Sequence, residues 1–320
     1  MKKISFVIPC YCSEKMISGV LDRIEKTVEN DGRYDYEIVC VNDASKDNTY
    51  KVLKDYASQD DKVKILNFSK NFGQHAALMA GFKYASGDYI MCLDDDGQTP
   101  PEKLGLLMDK LEEGYDLVSA KYPKDDRGLV RKLGSRVSFA MSEHLVGMPK
   151  GIELNSYYVF RKYIRDEIIK YDNPYPFVHG LILQVTKNIA NVELPREERE
   201  EGTSGYTFKS LVKLLFNGFT AFSEKPLRIV TMMGILFSIL GFISVIVVII
   251  KRLVTPAMPA GYASMMSVLL FVGGIIMICI GMLGEYVSRI YICMNNIPQY
   301  VVKETCNMGE NNTYEKNINS

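Results

Sequence analysis

Leu93-Asp94-Asp95-Asp96-Gly97-Gln98-Thr99-Pro100-Pro101 joins an apolar run, Tyr89 to Leu93, to three adjacent carboxylates. The run reads as a buried strand and the carboxylates as its C-terminal tip. Gly97 lets the backbone turn, and Pro100-Pro101 starts a helix at Glu102. In open α/β sheets that edge is where ligands bind. Three neighbouring like charges repel, so a cation is their natural partner, and oxygen ligands at this density favour Mg²⁺ or Mn²⁺. Such an ion keeps waters and completes its shell with substrate phosphates, which points to a metal-bound diphosphate. A solvated acidic turn is the competing reading, and the stretch alone leaves the two even.

The flanking sequence shifts the balance. Ile4 to Ile8 reads as a strand closed by Pro9, and Ser13 to Asn30 as a helix with Ile17, Leu21, Ile24 and Val28 on one face. Glu37 to Val41 is a second strand ending in Asn42-Asp43-Ala44-Ser45, followed by a helix from Thr49 to Tyr56. Val63 to Phe68 is a third strand, and Asn71-Phe72-Gly73-Gln74-His75 leads into a helix, Ala76 to Ala85. The expected helix from Pro101 to Glu113 and strand from Asp116 to Ala120 continue the alternation. Strands alternating with helices predict a mostly parallel sheet covered on both faces, with every polar strand tip on one edge. Further on, Asn155 to Phe160 suggests a strand and Pro176 to Lys187 a helix, where His179 reads as packed or solvated rather than catalytic. Arg127, Arg131 and Ser135 share a helical face; it is either a solvated basic face or a clamp for phosphate.

Formal net charge is zero, which gives no reason to expect a nucleic-acid partner. Charge is unevenly spread, however. It is frequent up to Arg228 and nearly vanishes between Ile229 and Gly284. Pro9 and Glu14-Lys15 interrupt the N-terminal apolar stretch, so no signal peptide is expected. Cys10, Cys12, Cys40 and Cys92 lie in or beside strand-like runs, as small buried residues do. Ile229 to Ile250 is uncharged and would span roughly 33 Å as a helix; Met265 to Leu283 would span roughly 28 Å. Two spans put both chain ends on one side, and Lys209, Lys213, Lys225, Arg228 and Arg289 assign that side to the cytoplasm. Phe208, Leu211, Val212, Leu215 and Phe219 suit a helix lying in the lipid interface. The expected organisation is a catalytic domain over 1–205, an interfacial helix over 206–228, two spans over 229–283, and a helix with a disordered tail over 284–320. Gly273-Gly274, Gly281 and Gly284 would suit close helix packing, within the hairpin or in a homo-oligomer.

Together these stretches resemble family 2 glycosyltransferases of the polyprenyl-phosphate sugar type. The likeness is carried by Ile8-Pro9-Cys10-Tyr11, Val41 to Thr49, Asn71-Phe72-Gly73, Asp94 to Gln98 with Pro100-Pro101-Glu102, Phe222-Ser223 with Pro226-Leu227-Arg228, and Gly284-Glu285-Tyr286 with Arg289-Ile290-Tyr291. It implies a GT-A (Rossmann-like) α/β domain followed by a two-helix membrane hairpin with interfacial amphipathic helices. It also implies a nucleotide-diphospho-sugar donor, a polyprenyl phosphate acceptor and a Mg²⁺ or Mn²⁺ cofactor at a cell membrane. Pro9, Tyr11, Glu14, Asp43 and Asp94 would serve the nucleotide; Asp94, Asp96 and Gln98 the metal; Arg131, Ser135 and Arg199 the acceptor phosphate. Asp94, Asp95, Asp96, Arg131 and Arg199 make the catalytic set. Cys12 stands where the family usually has Asn, Gln74 where Lys is frequent, Gly97 where Leu is common and Gly205 where Lys is common.

A phosphate acceptor is already anionic at neutral pH, so the reaction needs no strong base. Direct displacement on the donor predicts inversion at the sugar carbon. A diacylglycerol or ceramide hydroxyl would need a base, for which Asp95, His75 and His179 are the candidates. A processive polysaccharide synthase carries a Gln-x-x-Arg-Trp motif, and this chain has no Trp. A non-catalytic assembly partner in the membrane is a third alternative.

Overall fold

A computed structural model describes residues 1–123, 148–195, 261–295 and 297–308, with scattered positions between 232 and 250. The chain divides into two compact units, Met1–Tyr206 with Ile297–Ser320, and Thr207–Asn296.

In the first unit the elements run β1 (Lys3–Cys10), α1 (Ile17–Asp31), β2 (Asp35–Asn42), α2 (Thr49–Ala57), β3 (Val63–Phe68), α3 (Gln74–Tyr84) and β4 (Tyr89–Cys92). A single 3₁₀ turn, Pro101–Lys103, leads into α4 (Leu104–Glu112). Then come β5 (Leu117–Lys121), β6 (Tyr158–Arg161), α5 (Lys162–Ile168), α6 (Val178–Val185), β7 (Ile189–Glu193) and, after the second unit, β8 (Val302–Cys306). The eight strands lie in the order β7-β5-β6-β4-β1-β2-β3-β8. β3, β2, β1 and β4 pair in parallel, as do β5 and β7; β6 and β8 run antiparallel to their neighbours. The sheet is thus α/β and mostly parallel, as the alternation predicts.

Its strands are apolar on both sides because both faces are covered. Ile4, Phe6 and Ile8 share one core with Ile17, Leu21 and Ile24 of α1, Leu53 of α2 and Leu104, Leu107 and Leu111 of α4. On the opposite face Gly81 of α3 sits against the Val7 side chain, with no room for a Cβ. A polar knot closes the N-terminal ends of the strands. Glu37, 1% exposed, takes ion pairs from Lys3 at 2.9 Å and Lys64 at 2.7 Å. Ser5 Oγ donates to the same carboxylate at 2.5 Å and the Ser86 N–H at 2.6 Å. Burial opposes ionisation of Glu37, yet these donors together hold its carboxyl down at about 2.

β6 lies between β4 and β5 in the sheet. Two expectations need correcting. Only Tyr158–Arg161 forms that strand; Asn155 and Ser156 precede it. Within the stretch expected to be a disordered tail, Val302–Cys306 forms β8, which extends the sheet beyond β3. It does so because Val302 to Cys306 supplies an extended backbone that satisfies the otherwise open β3 edge.

In the second unit α7 (Tyr262–Met294) is a continuous helix of 33 residues, about 50 Å long. It contains the whole second uncharged run, 265–283. Counted over the described residues alone, no helix is long and apolar enough to cross a membrane. The interfacial helix and most of the first uncharged run lie outside the described residues.

Candidate active site

The four parallel strands deliver their tips to one edge. After β1, Pro9 is buried in the strand opposite Val41, and Tyr11 stands beyond it, 46% exposed. After β2 comes Asp43, 4% exposed. Its two carboxylate oxygens accept the N–H groups of Phe72 at 2.7 Å and Gly73 at 2.8 Å, from the turn after β3. Burial raises the Asp43 pKa, and the two N–H donors oppose the shift. Gly73 has φ +93°, a conformation open to glycine, which aims its N–H back at the carboxylate.

The three carboxylates after β4 have distinct surroundings. Asp94 Oδ1 accepts from Gln74 Nε2 at 3.2 Å, and Asp94 Oδ2 accepts from Ser156 Oγ. Asp96 accepts from the Gln98 backbone N–H at 3.1 Å and from Gln98 Nε2 at 2.8 Å. Asp95 turns the other way. It accepts the Tyr11 N–H at 2.8 Å and so ties the first strand tip to the fourth. Burial pushes the Asp95 pKa up to about 6, with Asp94 and Asp96 adding to the shift and the Tyr11 N–H opposing it. The turn that follows has Gly97 at φ +72°, and its carbonyl accepts from Arg23 Nη1 at 3.0 Å. Arg23 is itself paired with Glu102 at 2.7 Å.

Tyr11, Asp43, Asp94, Asp95, Asp96 and Gln98 therefore gather at one edge. Glu14 faces α2 instead: it accepts the Asn48 N–H at 2.8 Å at that helix's start. Arg131, Ser135 and Arg199 lie outside the described residues. Sequence reasoning missed Ser156 as a partner of Asp94, since the contact depends on β6 lying beside β4. Cys12 has φ +55° and donates its N–H to Ser45 Oγ at 3.0 Å. His75 and His179 pack with ring centroids 6.0 Å apart, beside Phe177 and Tyr158. Burial pulls the His75 pKa down to about 4 and that of His179 to about 3.

Among the described residues no group of three or more His, Cys, Asp or Glu could hold a metal by itself. Asp94 and Asp96, with the Gln98 amide oxygen, are nonetheless an all-oxygen donor set. That fits a hard divalent cation that draws its remaining ligands from diphosphate and water.

A family model, "Glycosyl transferase family 2", matches residues 5–171, just over half the chain. The chain belongs to this family. It is a family 2 glycosyltransferase enzyme, and its residues 225–290 match a second model, "GtrB C-terminal hairpin". This glycosyltransferase is 32% identical over 302 residues to an "Uncharacterized glycosyltransferase YkcC" of Bacillus subtilis, covering 94% of this chain and 93% of that protein. It is 31% identical over 307 residues to an "Undecaprenyl-phosphate 4-deoxy-4-formamido-L-arabinose transferase" of Proteus mirabilis, covering 95% and 94%. Its fold is similar to that of glucosyl-3-phosphoglycerate synthase from Mycobacterium tuberculosis, with TM-score 0.53 and 19% identity, covering 69% of this chain and 80% of that one. That likeness establishes a GT-A-like domain.

Proposed function

We propose that this enzyme transfers a sugar from a nucleoside-diphosphate sugar to a polyprenyl phosphate at the cytoplasmic face of a cell membrane. The observation that carries the proposal is the convergence of Tyr11, Asp43, Asp94 and Asp96 on one sheet edge. A nucleoside would lie over Tyr11 and Asp43, and the diphosphate beside Asp94 and Asp96. Those two carboxylates and Gln98 would hold Mg²⁺ or Mn²⁺, which supplies Lewis-acid stabilisation of the leaving diphosphate. Gln74 and Ser156 hold the Asp94 carboxylate in place from both sides. Arg131, Ser135 and Arg199 are proposed to receive the acceptor phosphate, offsetting its repulsion from the donor and aligning it with the sugar carbon.

A hydroxyl acceptor fits less well. It needs a base; His75 and His179, with pKa values lowered to about 4 and about 3, are weak proton acceptors, and the Asp95 carboxylate is engaged by the Tyr11 N–H. The relatives whose printed names specify undecaprenyl phosphate favour the phosphate acceptor. Two spans fit the chain's connectivity as well. The chain rejoins the first unit at Ile297, and two spans between residues 207 and 296 would return it to the side it left.

The test uses the full chain in detergent with Mn²⁺, undecaprenyl phosphate and a panel of UDP-, GDP- and dTDP-sugars. Release of nucleotide from one donor, dependent on the lipid phosphate, is the expected result. Equal release without the lipid would overturn the acceptor.

A further inference from the structure

We infer that Tyr300, on the segment that returns from the second unit, is a positioning residue for the donor nucleotide. The inference rests on the donor reading of the Asp43 crevice.

The returning segment is fastened at four points before, along and just after β8. Gln299 is 8% exposed, and its amide donates to the carbonyls of Tyr171 at 3.3 Å and Asn173 at 2.9 Å. The Ser69 N–H donates to Val301 O at 3.0 Å. Lys54 pairs with Glu304 at 2.8 Å. Asn307 Nδ2 reaches the carbonyls of Ala57 at 2.6 Å and Val63 at 3.0 Å.

Tyr300 is thereby placed flat on Phe68, with centroids 5.3 Å apart and planes 10° apart. Phe68 in turn meets Phe72 edge-on at 5.6 Å. The Phe72 N–H is one of the two that fix the Asp43 carboxylate. A second route runs parallel to it. Asn67, opposite Glu304 in the β3–β8 register, accepts from Asn42 Nδ2 at 2.8 Å, beside Asp43. Asn42 Oδ1 accepts from Ser45 Oγ at 2.6 Å, and Ser45 Oγ takes the Cys12 N–H. The Tyr300 ring therefore backs the turn that orients Asp43, while touching neither Asp94 nor Asp96 through any of these contacts.

Removing the ring loosens the Phe68–Phe72 wedge and with it the aim of the Phe72 and Gly73 N–H groups. Tyr300→Ala in the full chain should weaken binding of UDP or GDP, measured calorimetrically with Mn²⁺, by roughly threefold to tenfold. The KM for the sugar nucleotide should rise by the same factor, with kcat and the KM for undecaprenyl phosphate unchanged. Tyr300→Phe, which keeps the ring on Phe68, should recover most of the lost affinity. Unchanged nucleotide affinity in Tyr300→Ala would overturn the inference. So would equal weakening toward nucleotide and lipid with a lowered melting temperature, the mark of a merely structural role. A wild-type chain that binds neither nucleotide would instead overturn the donor reading, and the inference with it.

Discussion

Asp94 accepts hydrogen bonds from Gln74 Nε2 and Ser156 Oγ, which fix the direction of its carboxylate at the tip of β4. Asp94→Ala and Asp96→Ala should each lower turnover by at least about a hundredfold with unchanged circular dichroism; full activity in either would remove that residue from the metal. Ser156→Ala should weaken Mn²⁺ retention about tenfold, read by titration, with Ser156→Thr near wild type. Acid sensitivity is also settled residue by residue. His75 and His179 have folded pKa values of about 4 and about 3, below the usual 6.5 of histidine. The unfolded chain therefore takes up more protons as pH falls below 6.5, and stability falls with it, by on the order of 3 kcal/mol for His75. Glu37, with a folded value of about 2 against the usual 4.5, adds a further loss below pH 4.5. The melting temperature should decline from pH 6.5 to 4, and His75→Phe should flatten that decline. A His75→Phe slope equal to wild type would reassign the effect to other groups.

Among the elements, α3 shows how closely a helix can be seated on this sheet. Gly81 lies on Val7, and a methyl there must displace the helix or the strand side chain. Gly81→Ala should cost about 1 to 3 kcal/mol in denaturant unfolding, and Val7→Ala in the same chain should recover part of it. The long parallel elements were legible in the sequence because their apolar runs and periodicity are local. β1 to β4, α1 and α2 lie within a few residues of expectation. α1 begins at Ile17 rather than Ser13, and the Pro101 segment opens as a 3₁₀ turn before α4. The sequence places β6 three residues early and gives no sign of β7 or β8. Each is short, four or five residues, and none shows an alternation that sets it apart from loop. Their strand character comes from neighbours distant in sequence. The site divides the same way. The carboxylates and Asp43 announce themselves as strand tips, whereas Ser156 and Tyr300 act only through contacts 62 and 232 residues away.

At the scale of the whole molecule, the second unit is an insertion between β7 and β8 of the first. Ending the chain at residue 206 would therefore remove β8, Tyr300 and Asn307, exposing the β3 edge. Such a fragment should melt lower than the full chain and associate through that edge. Residues 1–206 joined by a flexible linker to 297–308 should regain a monomeric, nucleotide-binding domain, with sedimentation and nucleotide titration as readouts. Equal stability of the two fragments would show that β8 contributes little to the sheet.

The position of β8 also sets an order in time. Translation delivers β1 to β7 first, then the whole hairpin, and only then the strand that lies beside β3. At about 5 to 20 residues per second, the sheet waits roughly 5 to 20 s with an open edge. Completion of the sheet is therefore the last step in the birth of the polypeptide, taken only after the whole inserted unit has been synthesised.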